Sequence, residues 1–230
     1  MVEREDIRLA RSMLAAYAEG AFPMAHGRSD PEIGWYGARQ RAVIPLDGLR
    51  VSRSLIRRLR REAPRVTLDA AFGAVVRRCA ERPETEETWI SHRLEAAYRV
   101  LHEAGHAHSV EIWHEGQLAG GLFGVALGGA FFAESMFSNR PDGSKAALVM
   151  LVHQMRRTGF VLLDAQFMTP HLERMGAVTL PAGTYRARLE KALSRRADLA
   201  ARPIDEIAPA EAARSLRRIT LSRRAVPRPE

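Results

Sequence analysis

The sequence predicts a chain of the α/β (α+β) class: a small N-terminal domain over residues 1–64, a larger domain over 65–195, and a basic, weakly ordered tail over 196–230. Three observations predict it. Apolar residues recur at helical spacing near the N-terminus. Between residues 108 and 137 the period falls to two, with glycine-bearing turns between the runs. From Arg195 onward the composition shifts to Arg, Ala and Pro, without a recognisable domain pattern.

The elements follow in order. Ile7, Leu9, Ala10, Met13, Leu14 and Tyr17 predict a helix over 6–18 that Gly20 stops. A loop over 30–41 leads to a short strand over 42–45. Ser52 then caps a helix running to Glu62, which Pro64 closes. A strand over 65–68 precedes a helix capped by Asp69 and a polar linker from Pro83 to Glu87; Thr88 caps a further helix to Ala104. The alternating stretch gives strands over 108–114, 118–127 and 130–137, joined by turns at Glu115-Gly116 and Gly128-Gly129. A helix over 144–158, a strand over 160–165, a short helix capped by Thr169 and a helix over 185–194 complete the pattern. A meander, a loop-capped helix and a strand returning beside it suggest an acetyltransferase-like α/β domain.

Lys+Arg number 35 against 27 Asp+Glu, for a net charge of +8 and a pI near 10.6. That balance suits a polyanionic partner such as nucleic acid. A compositional bias toward arginine is the equal alternative, since only Lys145 and Lys191 are lysines. A single cysteine, Cys79, excludes an internal disulfide and fits a reducing, cytoplasmic setting. No apolar run is long enough to span a membrane, and the charged N-terminus does not read as a secretory signal.

There is no GxxxxGK[ST], HExxH, CxxC or GxSxG motif, so P-loop, zinc-protease and serine-hydrolase chemistry have no support. His102, His106 and His108 straddle a helix end and a strand start, which fits structural roles better than metal ligation. Asp164 and Gln166 end the strand LLDAQ, where an acid and an amide on one face could orient an incoming amine; a turn or cap acid is the alternative. Glu134 lies in the apolar run AFFAESMF, sharing a face with Phe132 and Met136 by alternation; a carboxylate there is costly unless paired or used. Trp89 could cover a nucleobase or fill the core. Ser144 and Lys145 open a helix whose free amides favour phosphate, or simply cap it. Arg53, Arg57, Arg58, Arg60 and Arg61 crowd one helix, offset only by Glu62; they form either a backbone-tracking surface for RNA or a solvated face.

Taken together and in order, these blocks resemble the leucyl/phenylalanyl-tRNA–protein transferase family. The matching blocks include YAEGAFPM (17–24), RAVIPLDGLRVSRSL (41–55), VTLDAAF (66–72), TWI (88–90), LAGGLFGVALGGAFFAESMFS (118–138), SKAAL (144–148), LLDAQF (162–167) and HLERMGA (171–177). The resemblance implies a small N-terminal domain, then a GNAT-like domain that uses aminoacyl-tRNA in place of acetyl-CoA. It implies transfer of leucine or phenylalanine, in some members methionine, to the α-amine of proteins beginning with Arg or Lys, marking them for proteolysis. No metal, ATP or other cofactor is implied, because the donor is already an activated ester. By the same matching, Asp164 and Gln166 assist the acceptor amine and Glu134 lies near the bound acceptor. Trp89 stacks on the terminal adenosine, with Met24 beside it where the family usually has tryptophan. Leu122, Phe131, Met136 and Leu148 line the aminoacyl side-chain pocket, and the arginines of helix 52–62 meet the tRNA backbone. A cytoplasmic monomer is expected.

Ala165 replaces the usual cysteine, pointing away from Asp164 and Gln166, and Ala133 replaces the usual glycine. Two rival readings are an acetyl-CoA-dependent N-acyltransferase and a catalytically degenerate tRNA-binding homologue. SNRPDGSK does not fit the pyrophosphate loop of the first, and the retained Asp164, Gln166, Glu134 and Trp89 argue against the second.

Overall fold

The computed structural model describes residues 4–81 and 87–224. The polar linker expected from Pro83 up to residue 86, and the end of the tail beyond residue 224, lie outside the described residues.

Helix α1 (Arg4–Ala18) ends at Gly20 and is followed by a two-stranded hairpin, β1 (Phe22–Met24) with β2 (Gly34–Tyr36). The chain then enters the main sheet as β3 (Gln40–Val43). Helix α2 (Arg53–Glu62) is capped by Ser52, whose hydroxyl accepts the Leu55 N–H at 3.1 Å. Then come β4 (Arg65–Leu68), α3 (Phe72–Ala80), α4 (His92–Glu103), and the meander β5 (Ala107–His114), β6 (Gln117–Leu127) and β7 (Ala130–Ser138). Helix α5 (Gly143–Arg157), β8 (Leu162–Asp164), α6 (Pro170–Arg174), β9 (Val178–Pro181), α7 (Ala182–Leu193) and α8 (Pro209–Arg224) complete the chain.

The seven-stranded sheet runs β4-β5-β6-β7-β8-β3-β9. Every pairing is antiparallel except β7 with β8, which is parallel and joined through α5. Two apolar cores cover its faces. One gathers Leu55 and Leu59 of α2, the length of α5 and Leu216 of α8; the other gathers Met13 and Tyr17 of α1, Val75 of α3, Tyr98 of α4 and Leu189 of α7.

Four expectations are corrected. Residues 1–64 do not close as a unit, because β3 is sandwiched between β8 and β9 of the main sheet and α1 packs on that sheet's face; among the described residues only the β1–β2 hairpin forms a separate sheet. The residues from 196 are not weakly ordered up to residue 224. Leu199, Ile204, Ala212, Ala213 and Leu216 are buried, and the Gln154 side-chain amide donates to the Leu199 and Arg202 carbonyls. The Arg/Ala/Pro composition hid an amphipathic period at 212, 213, 216 and 219. Asp69 does not cap α3: it sits at φ 61 and its carboxylate accepts from Ser109 N–H at 2.8 Å and pairs with His108 Nδ1 at 2.7 Å. Thr88 does not cap α4 either; Ser91 does, and Thr88 Oγ1 accepts from Ile90 N–H. The strands β1, β2 and β9 are too short to have shown a period of two.

Candidate active site

The site is built where two strands part. β7 and β8 pair at Ala130–Leu162, Phe131–Leu163 and Phe132–Asp164, and no further. Beyond that point β7 continues to Ser138 while the chain after Asp164 turns away. The opening is a cavity of about 300 Å³ with an almost wholly apolar wall.

A β-bulge aims the one carboxylate that reaches it among the described residues. Phe123 pairs with Ser135 but Gly124 pairs with Ala133, which leaves Glu134 as the extra residue. The alternation expected through Phe132, Glu134 and Met136 breaks there. Phe132 packs into the core under α1, whereas Met136 joins the opposite face and lines the cavity. Gly124 makes the bulge possible: a Cβ there would stand 2.2 Å from the Phe132 carbonyl and 2.5 Å from the Phe131 ring.

Glu134 Oε2 accepts the Tyr98 hydroxyl at 2.8 Å, and Tyr98 in turn lies 3.1 Å from the Tyr17 hydroxyl. Glu134 Oε1 accepts the side-chain amide of Gln166 at 3.0 Å. Burial raises the Glu134 carboxyl to about 7, against the opposing pull of the Tyr98 and Tyr17 hydroxyls. Burial, with the nearby Glu134 charge, also raises both tyrosines, so they remain hydrogen-bond donors.

Asp164 is fully buried and lies outside the cavity. Arg41 holds it bidentately, Nε and Nη2 reaching the carboxylate at 2.8–3.0 Å, and the Tyr185 hydroxyl donates to it at 2.6 Å. Its Oδ1 also accepts the backbone N–H of Gln166 at 2.9 Å. Gln166 adopts φ +54, so the chain reverses its alternation: Ala165 and Gln166 both face the cavity, and Asp164 faces the other way. The expected shared face of Asp164 and Gln166, with Ala165 turned away, is therefore corrected. Arg41 itself donates to the Gly20 carbonyl and stacks on Phe22 and Tyr185, tying the hairpin to the sheet.

Leu122, Met136 and Leu148 line the cavity together with Ile44 and Leu172. Phe131 does not: it is fully buried and packs edge-on against Phe160 at 6.4 Å. Met24, Trp89 and Phe167 also contribute to the cavity wall, and the Ala25 N–H donates to the Trp89 carbonyl, which ties the segments bearing the first two together. Phe167 is 46% exposed and meets Phe22 edge-on at 5.3 Å. Arg53, Arg57, Arg60 and Arg61 are exposed on α2, with Arg61 paired to Glu62; Arg58 is half-buried against Asp142.

The sequence reading missed Arg41, Tyr17, Tyr98, Tyr185, Ile44, Phe167 and Leu172. Arg41 stands at the edge of the apolar run AVIP, beside Arg39 and Gln40, so the signal that singled out Glu134, a charge inside an apolar run, is only partly present there. The tyrosines carry no comparable local signal.

Comparisons with known proteins place the chain in a family. Residues 9–39 match the family model of the leucyl/phenylalanyl-tRNA protein transferase N-terminal domain, and residues 43–190 match that of the leucyl/phenylalanyl-tRNA protein transferase. The chain is 51% identical over 189 residues to the leucyl/phenylalanyl-tRNA–protein transferase of Ruegeria pomeroyi, covering 82% of this chain and 89% of that protein. It is 48% identical over 206 residues to the enzyme of the same name from Nitrobacter winogradskyi, covering 89% and 92%. A looser likeness, at a TM-score of 0.43 and 14% identity, covers 84% of this chain and 71% of a solved L-PGS from Bacillus licheniformis. With two family models spanning most of its length and relatives at half identity, the chain belongs to the leucyl/phenylalanyl-tRNA–protein transferase family, aminoacyltransferases that move an amino acid from tRNA to protein.

Proposed function

We propose that the enzyme transfers leucine or phenylalanine, with methionine as a further candidate donor, from charged tRNA to the α-amine of proteins beginning with Arg or Lys. It creates a destabilising N-terminus and acts as a cytoplasmic monomer without metal, ATP or other cofactor. The observation that supports this best is the cavity itself: apolar over nearly all its wall, with one carboxylate and one amide, Glu134 and Gln166, on it. An unbranched apolar side chain fits the apolar part, and an amine fits the polar pair.

The acceptor nitrogen attacks the ester carbonyl carbon. A new C–N bond forms, the bond to the 3′-terminal ribose oxygen breaks, and that oxygen leaves with a proton. An α-amine titrates near ~7.7–8.0, so the enzyme's tasks are alignment, acceptance of one proton and support of the oxyanion. Glu134 and Gln166 face the amine; Asp164 is a positioning residue that fixes the turn at Gln166 through its backbone. Trp89, with Met24 beside it, covers the terminal adenosine, and Leu122, Met136 and Leu148 contact the aminoacyl side chain. The strand pair that parts around the cavity suits the acetyltransferase-like reading of the larger domain.

The test is transfer of labelled leucine and phenylalanine from purified charged tRNA to a peptide beginning with arginine. A matched alanine peptide and an acetyl-CoA donor serve as controls. Incorporation into the arginine peptide alone, from tRNA alone, is the expected result. Incorporation from acetyl-CoA, or none from tRNA, would overturn the reading.

A further inference from the structure

Helix α8 lies wholly beyond residue 190, where the family match ends, yet it is built into the fold. It packs against both α2 and α5. Its C-terminal half is pinned beside the start of α2: Arg217 Nη1 donates to the Val51 carbonyl at 2.7 Å and the Thr220 hydroxyl to the Leu49 carbonyl at 2.8 Å. Its N-terminal end shares a groove with Leu59, Arg60 and Ala63 at the far end of α2. The two helices therefore run side by side in opposite directions.

Their outward faces carry like charge. On α2, Arg53, Arg57 and Arg60 recur at spacings of four and three, opposite the buried Leu55 and Leu59. On α8, Arg214 and Arg218 are exposed opposite the buried Ala212, Ala213 and Leu216. None of these five arginines carries an ion pair among the described residues. Asp205 and Glu211 also border the shared groove, but neither is paired to Arg60 or Arg214. On the other flank of α2, Arg58 pairs with Asp142 at the start of α5, the helix whose Leu148 lines the cavity. The basic face thus adjoins the helix that forms one wall of the site.

We infer that α8 extends the arginine face of α2 into one surface for the phosphate backbone of the tRNA donor, with Arg214 and Arg218 as contacts contributed by the C-terminal segment. Guanidinium forks suit phosphate oxygens, and an outward face of five arginines, with Leu221 its one large exposed apolar side chain among the described residues, suits a polyanion better than a folded protein partner. Arg53 to Arg60 span roughly 10 Å of helix, the reach of about three phosphates along one strand. The inference rests on the proposed donor, so its test is a binding measurement kept separate from transfer.

The measurement is the affinity of uncharged tRNA across a salt series, for the wild type and for Arg214→Ser/Arg218→Ser. A control, Arg11→Ser/Arg99→Ser, removes the same net charge from α1 and α4 on the opposite face of the sheet. Each lost phosphate contact lowers the slope of log affinity against log salt by about 0.9. The α8 variant should therefore lose close to two slope units and about tenfold or more in affinity at low salt, and Arg214→Lys/Arg218→Lys should recover most of both. A slope equal to the wild type's, or the same loss in the control, would overturn the inference. So would Arg214→Ser/Arg218→Ser with the wild-type melting temperature and wild-type affinity. Absence of transfer by a wild type that binds tRNA with the expected α8 dependence would overturn the proposed activity and leave this surface standing.

Discussion

Gln166 reaches Glu134 with its side chain, Nε2 to Oε1 at 3.0 Å, and reaches Asp164 only with its backbone N–H. The two carboxylates therefore occupy different electrical worlds on either side of one left-handed residue. Asp164 is neutralised by Arg41, whereas Glu134 faces the cavity with only neutral donors.

Because burial holds Glu134 near 7, its ionised fraction changes across the physiological range. Transfer measured at saturating donor should rise with pH through about 7 and rise again as the acceptor amine itself deprotonates, near ~7.7–8.0. Glu134→Gln should remove the first rise, keep the second, and slow transfer by roughly 10²–10⁴-fold if proton acceptance is its role. Stability follows the opposite sign. The folded protein binds this proton more tightly than the unfolded chain, so Glu134 lowers stability as pH climbs from the ordinary glutamate range to about 7. Denaturation midpoints at pH 5 and pH 8 should differ less in Glu134→Gln than in the wild type.

Asp164→Asn leaves the Arg41 guanidinium buried against a neutral amide. Breaking one side of a buried pair typically costs about 3–5 kcal/mol, and Arg41 is only 1% exposed. The variant should therefore lose much of its stability in urea as well as its transfer activity. Asp164→Asn with both an unchanged midpoint and unchanged transfer would show that the pair neither holds the fold nor positions Gln166.

Gly124→Ala tests the bulge. The added carbon would lie far inside contact distance of the Phe132 carbonyl, and backbone cannot give way as a side-chain tip can. Overpacking in a filled core costs about 1–3 kcal/mol. If the strand instead relaxes by closing the bulge, every residue after Ala133 shifts by one and Glu134 leaves the cavity. Either response predicts loss of transfer, and the first also predicts a lowered melting temperature.

The helices and the meander were legible because period and caps are local properties: Ser52, Thr169 and the alternation over 108–137 are readable from a few neighbours each. The family was legible from spaced blocks, and with it several of the residues that line the cavity: Met24, Trp89, Leu122, Glu134, Met136, Leu148 and Gln166. What stayed hidden depends on non-local partners. Arg41 meets Asp164 across 123 positions of sequence, and Tyr98 meets Glu134 across 36. The bulge was invisible because alternation is an average, and one extra residue shifts Met136 to the other face without changing any residue type. Phe131 came from the resemblance rather than from alternation, and its burial against Phe160 is again a non-local property.

Phe131 and Met136 provide the sharpest test of the cavity's boundary. Both lie on β7, and the resemblance assigns both to the aminoacyl pocket, but only Met136 faces the cavity. Donor preference, taken as the ratio of kcat/KM for phenylalanine over leucine, is insensitive to how much of the enzyme is folded, since both donors compete for the same molecules. Met136→Ala enlarges the wall, so the ratio should rise by about tenfold, in line with the 1–3 kcal/mol that a methylene is worth in an apolar site, and β-branched donors should gain ground. Phe131→Leu removes contacts with Phe160 and should lower stability by about 1–3 kcal/mol while leaving the ratio within twofold of the wild type. Equal shifts in the two variants would mean that the aminoacyl side chain reaches past the cavity into the core, and the assignment of the pocket to Leu122, Met136 and Leu148 would fall.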